Sequence, residues 1–131
     1  MSNDGVGSER RAKWKRFEKN YQDNKELLFT AVSSDGSLTA VFDFYDYDDS
    51  KVLAEGTYEV SEPINGVAHL RASSYFKYNG VEAQLESGSA TVEHITGGYK
   101  ISYTVVDKNK REFTGVIEGT LTGSNNPVNP A

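Results

Sequence analysis

From Glu26 to about Thr122, apolar side chains recur at every second residue. Leu27, Phe29 and Ala31 alternate with Leu28, Thr30 and Val32. Leu38, Ala40, Phe42 and Phe44 alternate with Thr39, Val41, Asp43 and Tyr45, and Tyr99, Ile101, Tyr103 and Val105 form a third series. A period of two belongs to strands with one face buried. Turn signals divide the pattern: Ser33-Ser34-Asp35-Gly36-Ser37, then 46–50, Glu62-Pro63-Ile64-Asn65-Gly66, Asn79-Gly80, Gly97-Gly98 and Asp107–Lys110. Asn79-Gly80 is the strongest of these, because a type I′ hairpin needs positive φ at both central residues.

The stretches between the turns are read as strands. Val52–Ser61 is one, with Gly56 at a bulge. Val67–Tyr78 is a single extended stretch, Ser87-Gly88 interrupts the next, and Phe113, Ile117 and Leu121 share a face of Arg111–Thr122 with Gly115 and Gly119. The expected fold is all-β, an antiparallel β-sandwich of about seven or eight strands spanning 26–122. The alternative is a lipocalin-like β-barrel, which needs an internal apolar cavity. Fourteen Tyr and Phe against one Met and one Trp agree with a strand-rich chain.

Ahead of the strands, Trp14, Phe17 and Tyr21 fall at i, i+3 and i+7. This spacing predicts a short helix over 8–22, capped by Ser8 and stopped by Asp23-Asn24. Residues 1–7 and 123–131 are polar and rich in Gly, Asn, Ser and Pro, and are expected to be disordered.

The 131 residues carry a net charge of −5 that hides an asymmetry. Arg10, Arg11, Lys13, Lys15, Arg16 and Lys19 against Glu9 and Glu18 give the segment 9–19 a local +4, leaving −9 for the rest. A body that acidic is not expected to bind nucleic acid, whose recognition depends on neutralising phosphates. With no cysteine, disulfides, thiolate nucleophiles, Cys-ligated zinc and Fe–S clusters are excluded. No apolar run approaches the ~20 residues of a membrane-spanning helix. The first ten residues lack the apolar core of a signal peptide, so the chain is either cytoplasmic or has had its export signal removed.

The order of short motifs carries a resemblance. Gly56-Thr57-Tyr58-Glu59-Val60 is followed by Ser74-Tyr75, Ser87-Gly88-Ser89-Ala90-Thr91-Val92, Gly98-Tyr99-Lys100-Ile101-Ser102-Tyr103 and Gly115-Val116-Ile117-Glu118-Gly119-Thr120-Leu121. With Leu38–Tyr45 as the preceding strand, this series resembles small β-sandwich domains of Bacteroidetes cell-envelope lipoproteins. The resemblance implies an exported, lipid-anchored domain whose lipidated cysteine lies outside this chain, and it implies no established activity. The basic segment at the N-terminus is not part of the pattern.

Few residues point to chemistry. Asp43, Asp46, Asp48 and Asp49 cluster near Tyr45 and Tyr47. Hard cations take several loop oxygens, which makes Asp46, Asp48 and Asp49 lesser metal candidates, but the Asp-x-Asp-x-Asp-Gly spacing is absent and a solvated loop is the expected state. His69 and His94 are the two histidines, neither beside a nucleophile motif, and no Gly-x-Ser-x-Gly elbow, phosphate loop or dinucleotide fingerprint occurs. No catalytic residue and no cofactor is therefore assigned. Glu82, Glu86, Glu93, Glu112 and Glu118 read as the wet side of strands.

Tyr45, Tyr47, Tyr75 and Tyr78 fall at strand ends or beside turns, where exposed aromatics stack on sugars or anchor a protein partner. These four are the candidate ligand-binding residues. The leading expectation is a non-enzymatic envelope or secreted binding module for glycan or protein. The alternatives are a structural or assembly protein, such as a phage or virion component that docks through its basic segment, and a small-ligand-binding barrel.

Overall fold

The computed structural model describes residues 14–23, 26–46, 52–62, 64 and 66–120. It is all-β. Nine strands lie among the described residues: β1 (Trp14–Asp23), β2 (Glu26–Ser33), β3 (Leu38–Tyr45), β4 (Gly56–Ser61), β5 (His69–Arg71), β6 (Tyr75–Tyr78), β7 (Val81–Ile95), β8 (Gly98–Asp107) and β9 (Glu112–Thr120).

Strands β2 and β3 form the hairpin that their alternation demands. Phe29 lies opposite Phe42 and Ala31 opposite Ala40, and all four are buried. Asp35 ties the turn, accepting hydrogen bonds from the Ser37 amide at 2.9 Å, the Ser37 hydroxyl at 2.7 Å and the Ser33 hydroxyl at 2.9 Å. The far edge of β3 is shared. Its first half pairs with β6 and its last two residues with β5. In the gap between them, the Ser74 hydroxyl accepts the Asp43 amide at 2.9 Å, so that amide keeps a partner there.

The stretch 67–78, expected as one strand, is thus two short ones. The chain turns at Ala72–Ser74, closed by a 2.9 Å bond from the Ser74 amide to the Arg71 carbonyl. Because β5 also runs parallel to β4, while β4 and β6 both pair with β7, the strands β3, β5, β4, β7 and β6 close a five-membered ring. Strands β2 and β1 extend outward from β3, and β8 and β9 from β7. The expectation of two stacked layers did not include this closure.

One bend makes the ring. Ser87-Gly88, read from sequence as a break, lies inside the continuous β7, just after a bulge at Glu86: Leu85 lies opposite Asp107 and Ser87 opposite Val106. The extra residue bends the strand, so its first residues face β6 and its later ones β4. Gly88 has φ +108°, and a side-chain carbon there would lie 2.5 Å from Val105 Cα and closer still to the Thr104 carbonyl oxygen. Only glycine fits. At Asn79-Gly80, φ is +50° and +86°, as a type I′ turn requires.

The N-terminal segment corrects the expected helix. Trp14–Asp23 is strand β1, antiparallel to β2; the rest of the predicted helix, 8–13, lies outside the described residues, as do the termini expected to be disordered. The aromatic spacing explains the misreading. From Phe17 to Tyr21 is an even step, which suits a strand as well as a helix. From Trp14 to Phe17 is an odd step, and a bulge between Trp14 and Arg16 absorbs it. The register consequently sets Trp14, Phe17 and Tyr21 opposite Ser33, Ala31 and Leu27, all on the buried face of β2. A short helix with three apolar residues has little to hold it, whereas the open edge of β2 offers a row of backbone partners.

Aromatic rings fill the interior. Phe29 meets Tyr99 edge-on at 5.1 Å, Phe42 meets Tyr103 at 5.4 Å, Phe44 meets Tyr58 at 5.1 Å, and Phe76 stacks on Phe113 at 4.7 Å. Edge-to-face pairs at these separations add to the burial energy of the rings. Tyr103 lies opposite Gly115 and Tyr99 opposite Gly119, so large rings and absent side chains alternate across β8 and β9.

Candidate functional site

The four tyrosines chosen from sequence do not form one site. Tyr45 lies opposite His69 near one end of β3, and Tyr78 lies opposite Leu38 at the other. Seven residues of strand separate these positions, roughly 23 Å at about 3.3 Å per residue. Tyr75 is half-buried between them, opposite Val41 and Gln84. Tyr78 is 44% exposed at its hairpin. Tyr47 lies outside the described residues, together with Asp48 and Asp49.

Asp46 is buried. Its carboxylate accepts the Ala54 amide at 2.9 Å and so fastens the segment leading into β4. The Leu53 amide donates to the Tyr99 hydroxyl at 3.2 Å. Burial pushes the Tyr99 phenol above its ordinary pKa, and the Asp46 charge adds to that shift. On the Leu53 carbonyl, His94 places Nε2 at 2.7 Å, a donated bond that makes His94 a structural clasp. Among the described residues, no group of three or more acids and histidines is placed to hold a metal ion.

What the structure gathers instead is Tyr45, His69 and Arg71. The geometry follows from β5. Leu70 is fully buried in the core, so its neighbours His69 and Arg71 turn to the opposite face. That face carries Tyr45, which pairs with His69. The rings of Tyr45 and His69 lie 5.3 Å apart with a 36° tilt. The Arg71 guanidinium carbon sits 5.3 Å from the centre of the same Tyr45 ring, within cation–π range.

Two nitrogens of this cluster are unusual. His69 is 1% exposed, and its Nδ1 lies 2.7 Å from the Val67 carbonyl oxygen. A carbonyl only accepts, so Nδ1 carries a proton and donates this bond. Nε2 is buried with no hydrogen-bond partner, and so is Arg71 Nε. Leaving such an atom unsatisfied costs about 1–3 kcal/mol. Two buried nitrogens without a partner thus accompany a half-buried aromatic ring, with no nucleophile among the three residues.

Sequence reasoning found Tyr45 and missed its two partners. The available signal was His69-Leu70-Arg71, a polar–apolar–polar triplet whose outer members share a strand face.

A concavity lies on the outer face of β7, β8 and β9. It is a groove of about 570 Å³ lined by Ser89, Thr91, Ser102, Thr104, Thr114 and Val116 among others. Its hydroxyl-bearing character follows from strand register, which sets Thr91 opposite Ser102 and Thr104 opposite both Ser89 and Thr114.

The chain matches no family model, no curated protein and no solved structure.

Proposed function

We propose that the chain is a non-enzymatic binding module of a cell envelope, exported and membrane-associated only through a lipid anchor outside this chain. Its ligand, a glycan or a protein, binds at Tyr45, with His69 and Arg71 as the polar partners. The observation that carries this reading is a single one. A half-buried tyrosine ring lies 5.3 Å from an imidazole and 5.3 Å from a guanidinium carbon, and each of these two groups keeps one buried nitrogen without a partner. Rings held in this way lose little further entropy on contact with a ligand.

Two features support the rest of the reading. The aromatic packing of the interior favours an external ligand site over a barrel cavity. The acidic body argues against nucleic acid as a partner.

The test is an array of envelope glycans and peptides probed with the wild type and with Tyr45→Ala. The reading expects a captured ligand that the variant loses while keeping its unfolding midpoint within a few degrees. Capture of the same ligands by both forms would contradict it.

A further inference from the structure

We infer that the basic segment 9–13 of this chain docks in the groove on the outer face of β7, β8 and β9, an inference independent of the ligand site at Tyr45. The floor of the groove carries no charge. Ser89, Thr91, Ser102, Thr104 and Thr114 present hydroxyls there, and Val116 a small apolar surface. The charges stand around it. Glu59 on β4 lies opposite Ser89, Glu93 and Glu118 flank Lys100 across the strands, and Glu112 at the start of β9 lies opposite Val106. All four glutamates are exposed, and among the described residues none of them forms an ion pair. Four carboxylates against one lysine leave the border of the groove at −3.

Such a border attracts cations and repels anions. Arg10, Arg11 and Lys13 against Glu9 give the segment 9–13 a charge of +2. These residues lie outside the described ones, but the point where they join the described chain is known. Lys13 leads directly into Trp14, the first residue of β1, and β1 approaches β9, the outermost strand of the groove. The thirteen residues ahead of Trp14 reach up to about 43 Å when extended. From β9 to β7 the groove is two strand spacings wide, about 10 Å. Length therefore sets no obstacle, and the opposite charges meet at a neighbouring edge.

Guanidinium and ammonium groups bring only donors, which the carboxylates of the border and the hydroxyls of the floor both accept. Each exposed ion pair contributes little by itself. The tether supplies the rest, since a short linked segment faces its site at an effective concentration in the millimolar range. An outside cationic partner then has to compete with the chain's own segment for this face.

The test uses the full chain with Ser8→Cys as its only cysteine, carrying a nitroxide spin label. The inference expects the label to broaden the amide signals of Thr91, Ser102, Thr104 and Thr114 in about 0.01 M salt. In about 1 M salt the screening length falls from about 30 Å to about 3 Å, and those signals should regain at least about twofold in intensity. Reversing the segment with Arg10→Glu, Arg11→Glu and Lys13→Glu should do the same at low salt, and adding Glu112→Lys and Glu118→Lys to that variant should restore the broadening. Broadening that ignores both salt and charge reversal, or that centres on strands outside the groove, would overturn the inference. So would broadening that passes only from a spin-labelled chain to a separate ¹⁵N-labelled one in a mixture, which would assign the groove to a second copy. The salt comparison uses the unreversed segment, so it decides the matter even where a reversed variant fails to fold.

Discussion

A methyl group on Gly88 would overlap the carbonyl oxygen of Thr104 on the neighbouring strand. That overlap, with φ at +108°, requires glycine two residues past the bulge at Glu86, where β7 passes from β6 to β4. Gly88→Ala is expected to destabilise the chain by about 3 kcal/mol or more, combining backbone strain with a clash against main chain that cannot move aside. The midpoint of urea unfolding measures this. Gly80→Ala is the control, since a carbon added there meets no atom within 4 Å and only the strain of φ +86° remains.

The pairing of Tyr103 with Gly115 makes a coupled prediction. A carbon added at Gly115 would lie 2.5 Å from the Tyr103 hydroxyl oxygen and 2.8 Å from the ring carbon bearing it. Gly115→Ala should cost about 2 kcal/mol, in the range of core overpacking. Tyr103→Phe removes the nearer atom, so the double variant should be less damaged than the two single losses predict. A double-mutant cycle from denaturant unfolding reads that coupling, and simple additivity would show that the ring does not press on β9.

The β2–β3 turn predicts a limb of the pH profile. The Ser37 amide, the Ser37 hydroxyl and the Ser33 hydroxyl lower the Asp35 pKa from 3.8 to about 2. A carboxylate with a depressed folded-state value stabilises fully above its unfolded pKa. That contribution is lost as pH falls from about 4 through about 2. Asp35→Asn should therefore flatten this part of the acid-unfolding curve and leave the curve's shape above pH 5 unchanged. Thermal midpoints taken between pH 2 and pH 6 make the comparison.

The fold is legible in the sequence where one residue's chemistry decides the outcome locally. Alternation places Phe29, Phe42, Tyr99 and Ile101 in the core, and Asn79-Gly80 names its own turn. It is not legible where a bulge shifts parity. The odd step from Trp14 to Phe17 looked helical because nothing local marks an extra strand residue. Ser87-Gly88 looked like a strand end because a glycine inside a strand and a glycine in a turn read alike. The ring closure depends on β5, three residues paired on both sides, whose length is set by its neighbours rather than by its own propensity.

The candidate site was half legible for the same reason. Tyr45 stood out as an aromatic residue at a strand end. His69 and Arg71 join it only because Leu70 is drawn into the core and because β5 lies beside the end of β3, a long-range pairing. Asp46, read as a possible cation ligand, instead holds the Ala54 amide, a partner eight residues away.

The proposed function turns on where a ligand touches the molecule. Backbone amide shifts recorded during titration with a ligand captured on the glycan and peptide array test this directly. Saturable changes centred on Tyr45, His69 and Arg71, at one end of β3 and on β5, are expected. Changes centred on Ser89, Thr91, Ser102 and Thr104, in the groove on β7, β8 and β9, would contradict it.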